Sequence, residues 1–295
     1  MNYQKWLQQN TASLAGKRIA VTGSIGGLGT ALCHYLARLG ASLVLLDRNP
    51  QKAAALREEL LAAHPTLELT QITVDMEDMD AVCAACDRLE TLGVDALVLN
   101  AGAYAIPRHR CTTGYDNVFQ INFISPYYMA RRLLPMLRQR QGRVVAVGSI
   151  AHHYSRSDPA DVDFSTRRAA SKVYGNAKRH LMFALFELFR QEREATVAVV
   201  HPGVTFTNIT AHYPPWLFAV IKHPMKWIFM PVDKAALSLL SGLFDSCGYH
   251  EWIGPWLFDV WGLPRRRRLR TCPVDESRCI GDVAQRVWQS LQKGE

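Results

Sequence analysis

Short apolar runs rich in β-branched residues alternate with stretches whose apolar positions recur at helical spacing. The runs RIAVTG (18–23), SLVLLD (42–47), ELTQITVD (68–75), ALVLNAG (96–102), RVVAVGS (143–149) and ATVAVVHPG (195–203) predict strands. Between them, GTALCHYLARLG (29–40) has helical spacing and stops on Gly40. NPQKAAALREELLAAH opens with Asn49 as a cap and Pro50 at the first helical position. DMDAVCAACDRLETL predicts a third helix. Strands this apolar are buried on both faces, so the pattern predicts an α/β fold, a doubly wound parallel sheet covered by helices on both sides. The alternation runs unbroken to about residue 203, with no linker, low-complexity tract or internal repeat, and predicts one domain over 1–295. Beyond it come an aromatic-rich segment to about 231, a helix, the strand-like EWIGPWLFDVW and a final helix.

Composition narrows the class. The chain has 295 residues, 48% hydrophobic and 20% charged, enough for a sizeable core and unlike a disordered chain. The polar start MNYQKWLQQNTASLAGKR lacks the apolar region of a signal peptide, and WLFAVI is broken by Lys222, His223 and Pro224 before reaching membrane-spanning length. A cytoplasmic protein is expected. The seven cysteines are odd in number, and the Cys83–Cys86 CxxC has no second CxxC to complete a zinc site, so no metal is expected. The formal net charge is +8, with RRRRLR at 265–270. With no aromatic interleaving or nucleic-acid module beside it, this run predicts no nucleic-acid partner. It reads as a solvated loop or an attractor for anionic lipid.

The first strand runs into TGSIGGLG (22–29), where a helix begins. Gly23, Ser24, Gly26, Gly27, Leu28 and Gly29 form a loop that lets backbone N–H groups approach a pyrophosphate at a helix N-terminus. Asp47 closes the second strand, where an acid would accept hydrogen bonds from an adenosine ribose. Its charge would repel the extra phosphate of NADP and points to NAD. Arg48 follows directly and would instead embrace that phosphate, so NADP is the alternative.

Later in the chain stand Asp75, LNAG (99–102), Asn122 in FQINFISP, Ser149 in VVAVGSIAHH, Tyr174 and Lys178 in YGNAK, and HPGVTFT (201–207). In this order and over nearly its whole length the chain resembles the short-chain dehydrogenase/reductase family, in its retinol-dehydrogenase-like and hydroxysteroid-dehydrogenase-like branch. The resemblance implies a Rossmann-type fold and a nicotinamide-dependent reaction at an alcohol or ketone. It implies that Tyr174 transfers the proton, Ser149 holds the reacting oxygen, Lys178 also holds the nicotinamide ribose, and Asn122 steadies a water behind Lys178. Asp75 and Met76 would meet the adenine, Asn100, Ala101 and Gly102 would line the adenine side, and Pro202, Gly203, Val204 and Thr207 would adjoin the nicotinamide. The family often has Ser before the lysine; here it is Ala177. Residues four apart share a helix face, so Lys178 is expected to lie near the Tyr174 hydroxyl and lower its pKa. His152 and His153 are expected to be structural.

Ligands in such sheets bind beyond the carboxyl ends of the strands, so 205–231 would cover the reacting carbon. Its Phe206, Tyr213, Trp216, Leu217, Phe218, Trp227, Ile228 and Phe229 predict a lid over a bulky apolar substrate, a hydroxysteroid first and a retinoid or other lipid alcohol next. The stretch 213–231, with Lys222 and Lys226, also suits peripheral membrane contact, the setting of a membrane-surface lipid reductase. A non-catalytic dinucleotide sensor is the rival from another class, disfavoured because Tyr174, Lys178, Ser149 and Asn122 are all present. The family habit implies a homodimer or homotetramer.

Overall fold

The structure, a computed structural model, describes residues 2–205 and 229–292. Its strands are β1 (Arg18–Thr22), β2 (Ser42–Asp47), β3 (Leu69–Thr73), β4 (Ala96–Leu99), β5 (Arg143–Val147), β6 (Thr196–Val200), β7 (Glu251–Leu257) and β8 (Trp261–Arg268). They form one sheet in the order β3-β2-β1-β4-β5-β6-β7-β8. Every pairing is parallel except β7 with β8. The chain starts in the middle, winds outward to β3, then returns to place β4 beside β1, with Ile19 opposite Ala96. Strand order reverses there, and a crevice opens at the carboxyl ends of the strands.

The strands are apolar on both faces because both are covered. Along β1, Ala20 enters one core while Ile19 and Val21 enter the other; along β5, Val144 and Ala146 part from Val145 and Val147 in the same way. One layer comprises α1 (Tyr3–Asn10), α2 (Gly27–Arg38), α3 (Pro50–Ala63) and α9 (Val232–Phe244), which contribute Leu7, Leu36, Leu56 and Leu240. The other layer holds α4 (Met79–Leu92), a broken helical run, α8 (Ala170–Leu188) and α10 (Val274–Gln292), represented by Leu89, Phe123, Leu181 and Ile280. The broken run consists of α5 (Asn117–Phe119), a π-turn (Gln120–Ile124), α6 (Ser125–Arg132) and α7 (Leu134–Gln139). Asn49 caps α3 as its position predicts, and Asp78 caps α4.

Two elements differ from expectation. The polar N-terminal stretch forms α1, started by the Asn2 side chain accepting from the Lys5 amide. The strand-like EWIGPWLFDVW is a strand and a turn, and most of the arginine run is not a loop but belongs to β8. Phe258 and Asp259 turn the chain in left-handed backbone, at φ 51° and 59°, without the Gly or Asn that signals such a turn. An edge strand tolerates exposed arginines, and that charge hides its strand character from a hydrophobic pattern.

Helix α8 and the start of α10 are joined by a buried ion pair. Arg179 Nη2 lies 2.7 Å from Glu276 Oε2, and Nε donates to Oε1 at 2.8 Å. Burial alone would raise the Glu276 carboxyl; the bonds from Arg179 and the Ser157 amide outweigh it and hold it below the usual range. Glu276→Gln leaves the guanidinium buried without its counter-charge and is expected to cost about 3 kcal/mol in urea unfolding. The folded carboxyl is depressed, so its contribution is complete above the ordinary carboxylate range and is lost as pH falls through the lowered value. The gap between wild type and variant should therefore close in acid.

Candidate functional site

The crevice at the β1–β4 switch point is a cleft of about 500 Å³. Gly23, Gly26, Gly27 and Leu28 line it, as do Asp47, Arg48, Asp75, Met76, Asn100, Ala101 and Gly102. Ser24 and Gly29, expected at the ligand, lie behind the lining instead. The Ser24 hydroxyl is buried and donates to Asp47. A Cβ on Gly29 would fall 2.3 Å from the Gly23 carbonyl, so this glycine lets α2 close against the loop. The loop is also tied to β4. Asn100 Nδ2 donates to the Thr22 and Gly23 carbonyls at 3.1 and 2.9 Å, and the Asn100 and Ala101 amides donate to Thr22 Oγ1.

Asp47 ends β2 at the cleft wall, 4% exposed, and accepts from Ser24 and from the Ile25 amide at 3.2 Å. Burial raises its pKa against the lowering by these bonds. Arg48 is well exposed, 3.7 Å from Asp75 Oδ2. Lys52, in the first turn of α3 and not singled out by sequence reasoning, lines the same end.

A second cleft, of about 260 Å³, adjoins the first and shares Leu28, Asn100 and Gly102 with it. Ser149, Tyr174 and Lys178 line it with Pro202, Gly203 and Val204. Ser149 caps the 3₁₀ turn Ile150–Tyr154, accepting from the Ala151 amide at 3.1 Å, and lines the cleft with Tyr174. Tyr104 packs edge-on against Tyr174, with centroids 5.4 Å apart at 85°. Asn122, in the π-turn, clamps the chain after LNAG: its Oδ1 accepts from the Ala103 amide at 3.2 Å and its Nδ2 donates to the Ala103 carbonyl at 2.8 Å. Asn122 Oδ1 and Lys178 Nζ converge on Gly102, where a Cβ would lie 2.8 and 3.5 Å from them. Thr207 and the aromatic residues from Phe206 to Ile228 lie outside the described residues. The flanks of that segment meet, for Thr205 pairs with Met230.

One electrostatic expectation is corrected. Lys178 Nζ donates to the Val147 carbonyl at 2.9 Å and lies 5.8 Å from the Tyr174 ring centroid. Burial pushes Tyr174 up to about 12, against the lowering by Ser149, and pushes Lys178 down to about 8. Loss of water is the leading cause for both groups, so the phenol is protonated at neutral pH.

His152 is structural as expected, but it acts on the site. Its Nδ1 lies 2.6 Å from the Ser149 carbonyl and its Nε2 2.8 Å from Thr271 Oγ1. Burial drives its pKa to about 3, so the ring is neutral and bridges Ser149 to the segment before α10. Arg179, one residue after Lys178, donates to the Thr271 carbonyl at 2.8 Å. Neither link is legible in the sequence, because the partners lie 119 and 92 positions away.

Comparison with known proteins identifies the family. Residues 17–217 match the short chain dehydrogenase family. The chain is 31% identical over 231 residues to the short chain dehydrogenase resG of Aspergillus sclerotiorum, covering 66% of this chain and 64% of that protein. It is 28% identical over 242 residues to retinol dehydrogenase 14 of Mus musculus, covering 76% of this chain and 72% of that protein. The Pseudomonas aeruginosa RhlG/NADP active-site complex superposes with a TM-score of 0.60 at 25% identity, over 79% of this chain and 93% of that one.

The approach of α8 to the Ser149 turn depends on Gly175. A Cβ there would lie 2.2 Å from the Ala151 carbonyl oxygen, a backbone atom that cannot swing aside. Gly175→Ala is therefore expected to cost roughly 1–3 kcal/mol in denaturant unfolding. Gly26→Ala, whose Cβ would sit 3.4 Å from the Gly23 carbonyl, should cost less.

Proposed function

Because the chain belongs to the short-chain dehydrogenase family, we propose that it interconverts a secondary alcohol and a ketone, using a nicotinamide dinucleotide. The observation that carries this reading is the second cleft, which Ser149, Tyr174 and Lys178 line together and which adjoins the glycine-loop cleft. The first cleft suits a dinucleotide. Gly26 and Gly27 bring bare backbone to the N-terminus of α2, and a Cβ on Gly102 would close in on Asn122 and Lys178. Pro202, Gly203 and Val204 lie on the reaction side and suit the nicotinamide end. The dinucleotide, when bound, supplies or accepts the hydride.

The protein residues then handle the proton and the oxygen. Tyr174, held as a phenol, is placed to donate to a carbonyl oxygen as it becomes an alcohol, and Ser149 shares that oxygen. Lys178 and Asn122, converging on Gly102, are the route by which the proton is replaced. The substrate is bulky and apolar. Leu28, Tyr104, Ile150, Ala151 and Phe229 line the cleft, and the relative named for retinol acts in the same direction of argument. A hydroxysteroid or its ketone is the first choice, a retinoid or other lipid alcohol the next.

NAD is the proposed dinucleotide because Asp47 keeps a carboxylate at the end of β2. Arg48 and Lys52 at the same end support NADP as the second reading, and RhlG is an example solved with it. The whole chain forms the domain in this proposal. No described helix is long and apolar enough to cross a membrane. Peripheral contact is supported by Phe258, 85% exposed beside exposed Trp256 and Leu257 at the hairpin tip. Pairing of copies follows family habit alone.

Tyr174→Phe should abolish turnover while leaving dinucleotide affinity, read by fluorescence titration, close to wild type. Near-normal turnover would overturn the proton-transfer role. Asp47→Ser should move the NADP/NAD ratio of kcat/KM upward, since Arg48 and Lys52 remain to pair with a 2′-phosphate. A wild type that already prefers NADP strongly would reverse the assignment.

A further inference from the structure

The segment leading from the Ser149 turn back to α8 builds a separate basin of about 330 Å³ on the outer side of the reaction cleft. Tyr154, 58% exposed, belongs to both and forms the wall between them. Arg156, Arg167 and Lys172 bring three positive charges to the basin, against one from Asp158. Arg167 is already engaged, 2.9 Å from Asp158 and stacked over Phe164 at 5.4 Å. Arg156 and the Lys172 ammonium have no carboxylate partner among the described residues.

The basin is held in shape by its own bonds. Ser155 Oγ donates to the Lys172 carbonyl at 2.6 Å, which fixes the residue before Arg156 against the start of α8. Phe164 is held in left-handed backbone, φ 54°, and Arg108 Nη2 donates to its carbonyl at 2.8 Å. That conformation is costly for a non-glycine residue and marks a place where the surroundings dictate the backbone. The Phe164 side chain joins the small apolar cluster that contains Tyr174, Ala151 and Val173. The basin therefore backs directly onto the catalytic helix.

We propose that this basin is a subsite for a carboxylate at the far end of an apolar substrate, gripped by Arg156 and Lys172 while the substrate body passes Tyr154 into the reaction cleft. The inference rests on the oxidoreductase reading and narrows its substrate class to apolar alcohols or ketones that end in an acid. Guanidinium matches a carboxylate in a two-pronged bond, and the ammonium adds a point charge beside it. Tyr154 supplies the apolar face that the uncharged stem of such a molecule would cross.

The test compares a ketosteroid ending in a carboxylate with its methyl ester, which differs at the far end alone. Both are measured by turnover with reduced dinucleotide and, independently, by calorimetric binding. The wild type should favour the acid by about tenfold in kcat/KM, chiefly through KM, and the preference should shrink as salt screens the charges. Arg156→Gln with Lys172→Gln should remove the preference and leave the ester unchanged; the ester also reports that the variant is folded. Equal use of acid and ester by the wild type, or a preference that survives in the double variant, overturns the subsite while the oxidoreductase reading stands. If neither compound is turned over, binding decides. Acid bound by the wild type and lost in the double variant keeps the subsite and removes the proposed reaction. Equal binding of acid and ester removes the subsite.

Discussion

The guanidinium of Arg179 is the constraint on which the reaction cleft depends. It is buried, yet it reaches four things at once: both oxygens of Glu276, the Thr271 carbonyl and the His152 carbonyl. Those partners belong to α10, to the loop between β8 and α10, and to the turn that begins at Ser149. Taking a guanidinium out of water is expensive unless every donor is answered, so one side chain forces three distant segments into a single arrangement. Tyr174 and Lys178 are carried on the same helix. Their position relative to Ser149 is thus set from behind, by an ion pair that touches no substrate.

A second layer of bonds joins the two clefts. Thr22 and Asn100 lock the end of β1 to the end of β4 across the switch point, and Asn122 clamps the chain as it leaves β4. Leu28, Asn100 and Gly102 then belong to both clefts. A ligand lying along the crevice would meet backbone at the glycine loop, carboxylates and cations at one end, and the Tyr174 hydroxyl at the other. His152 connects this layer to the first, because a neutral ring hydrogen-bonded on both sides leaves the Ser149 carbonyl little freedom.

Burial rules the electrostatics of the reaction cleft. Tyr174 and Lys178 lie on one helix face, which suggests that the ammonium should favour the phenolate. The fold instead turns the ammonium to the Val147 carbonyl and takes both groups out of water, so each shifts toward its neutral form. Spacing predicted the neighbours correctly but said nothing about the solvent they would lose.

The alternation of apolar runs with helical spacing was enough to determine the doubly wound sheet, because a strand buried on both faces has no other use for so many β-branched residues. The glycine loop before α2, Asp47 at the end of β2 and the four-residue step from Tyr174 to Lys178 were likewise legible, since each is a local pattern with a local cause. What the sequence could not show is where distant segments meet. Ser24 and Gly29 read as ligand contacts but serve the loop from behind, one by bonding Asp47 and the other by admitting α2. The arginines of β8 read as a loop because an edge strand needs no apolar face. His152 with Thr271, Arg179 with Glu276, and Arg156 with Lys172 became partners or neighbours only once the chain was folded, since hydrogen bonds, ion pairs and shared clefts depend on distance in space, which separation along the chain does not encode.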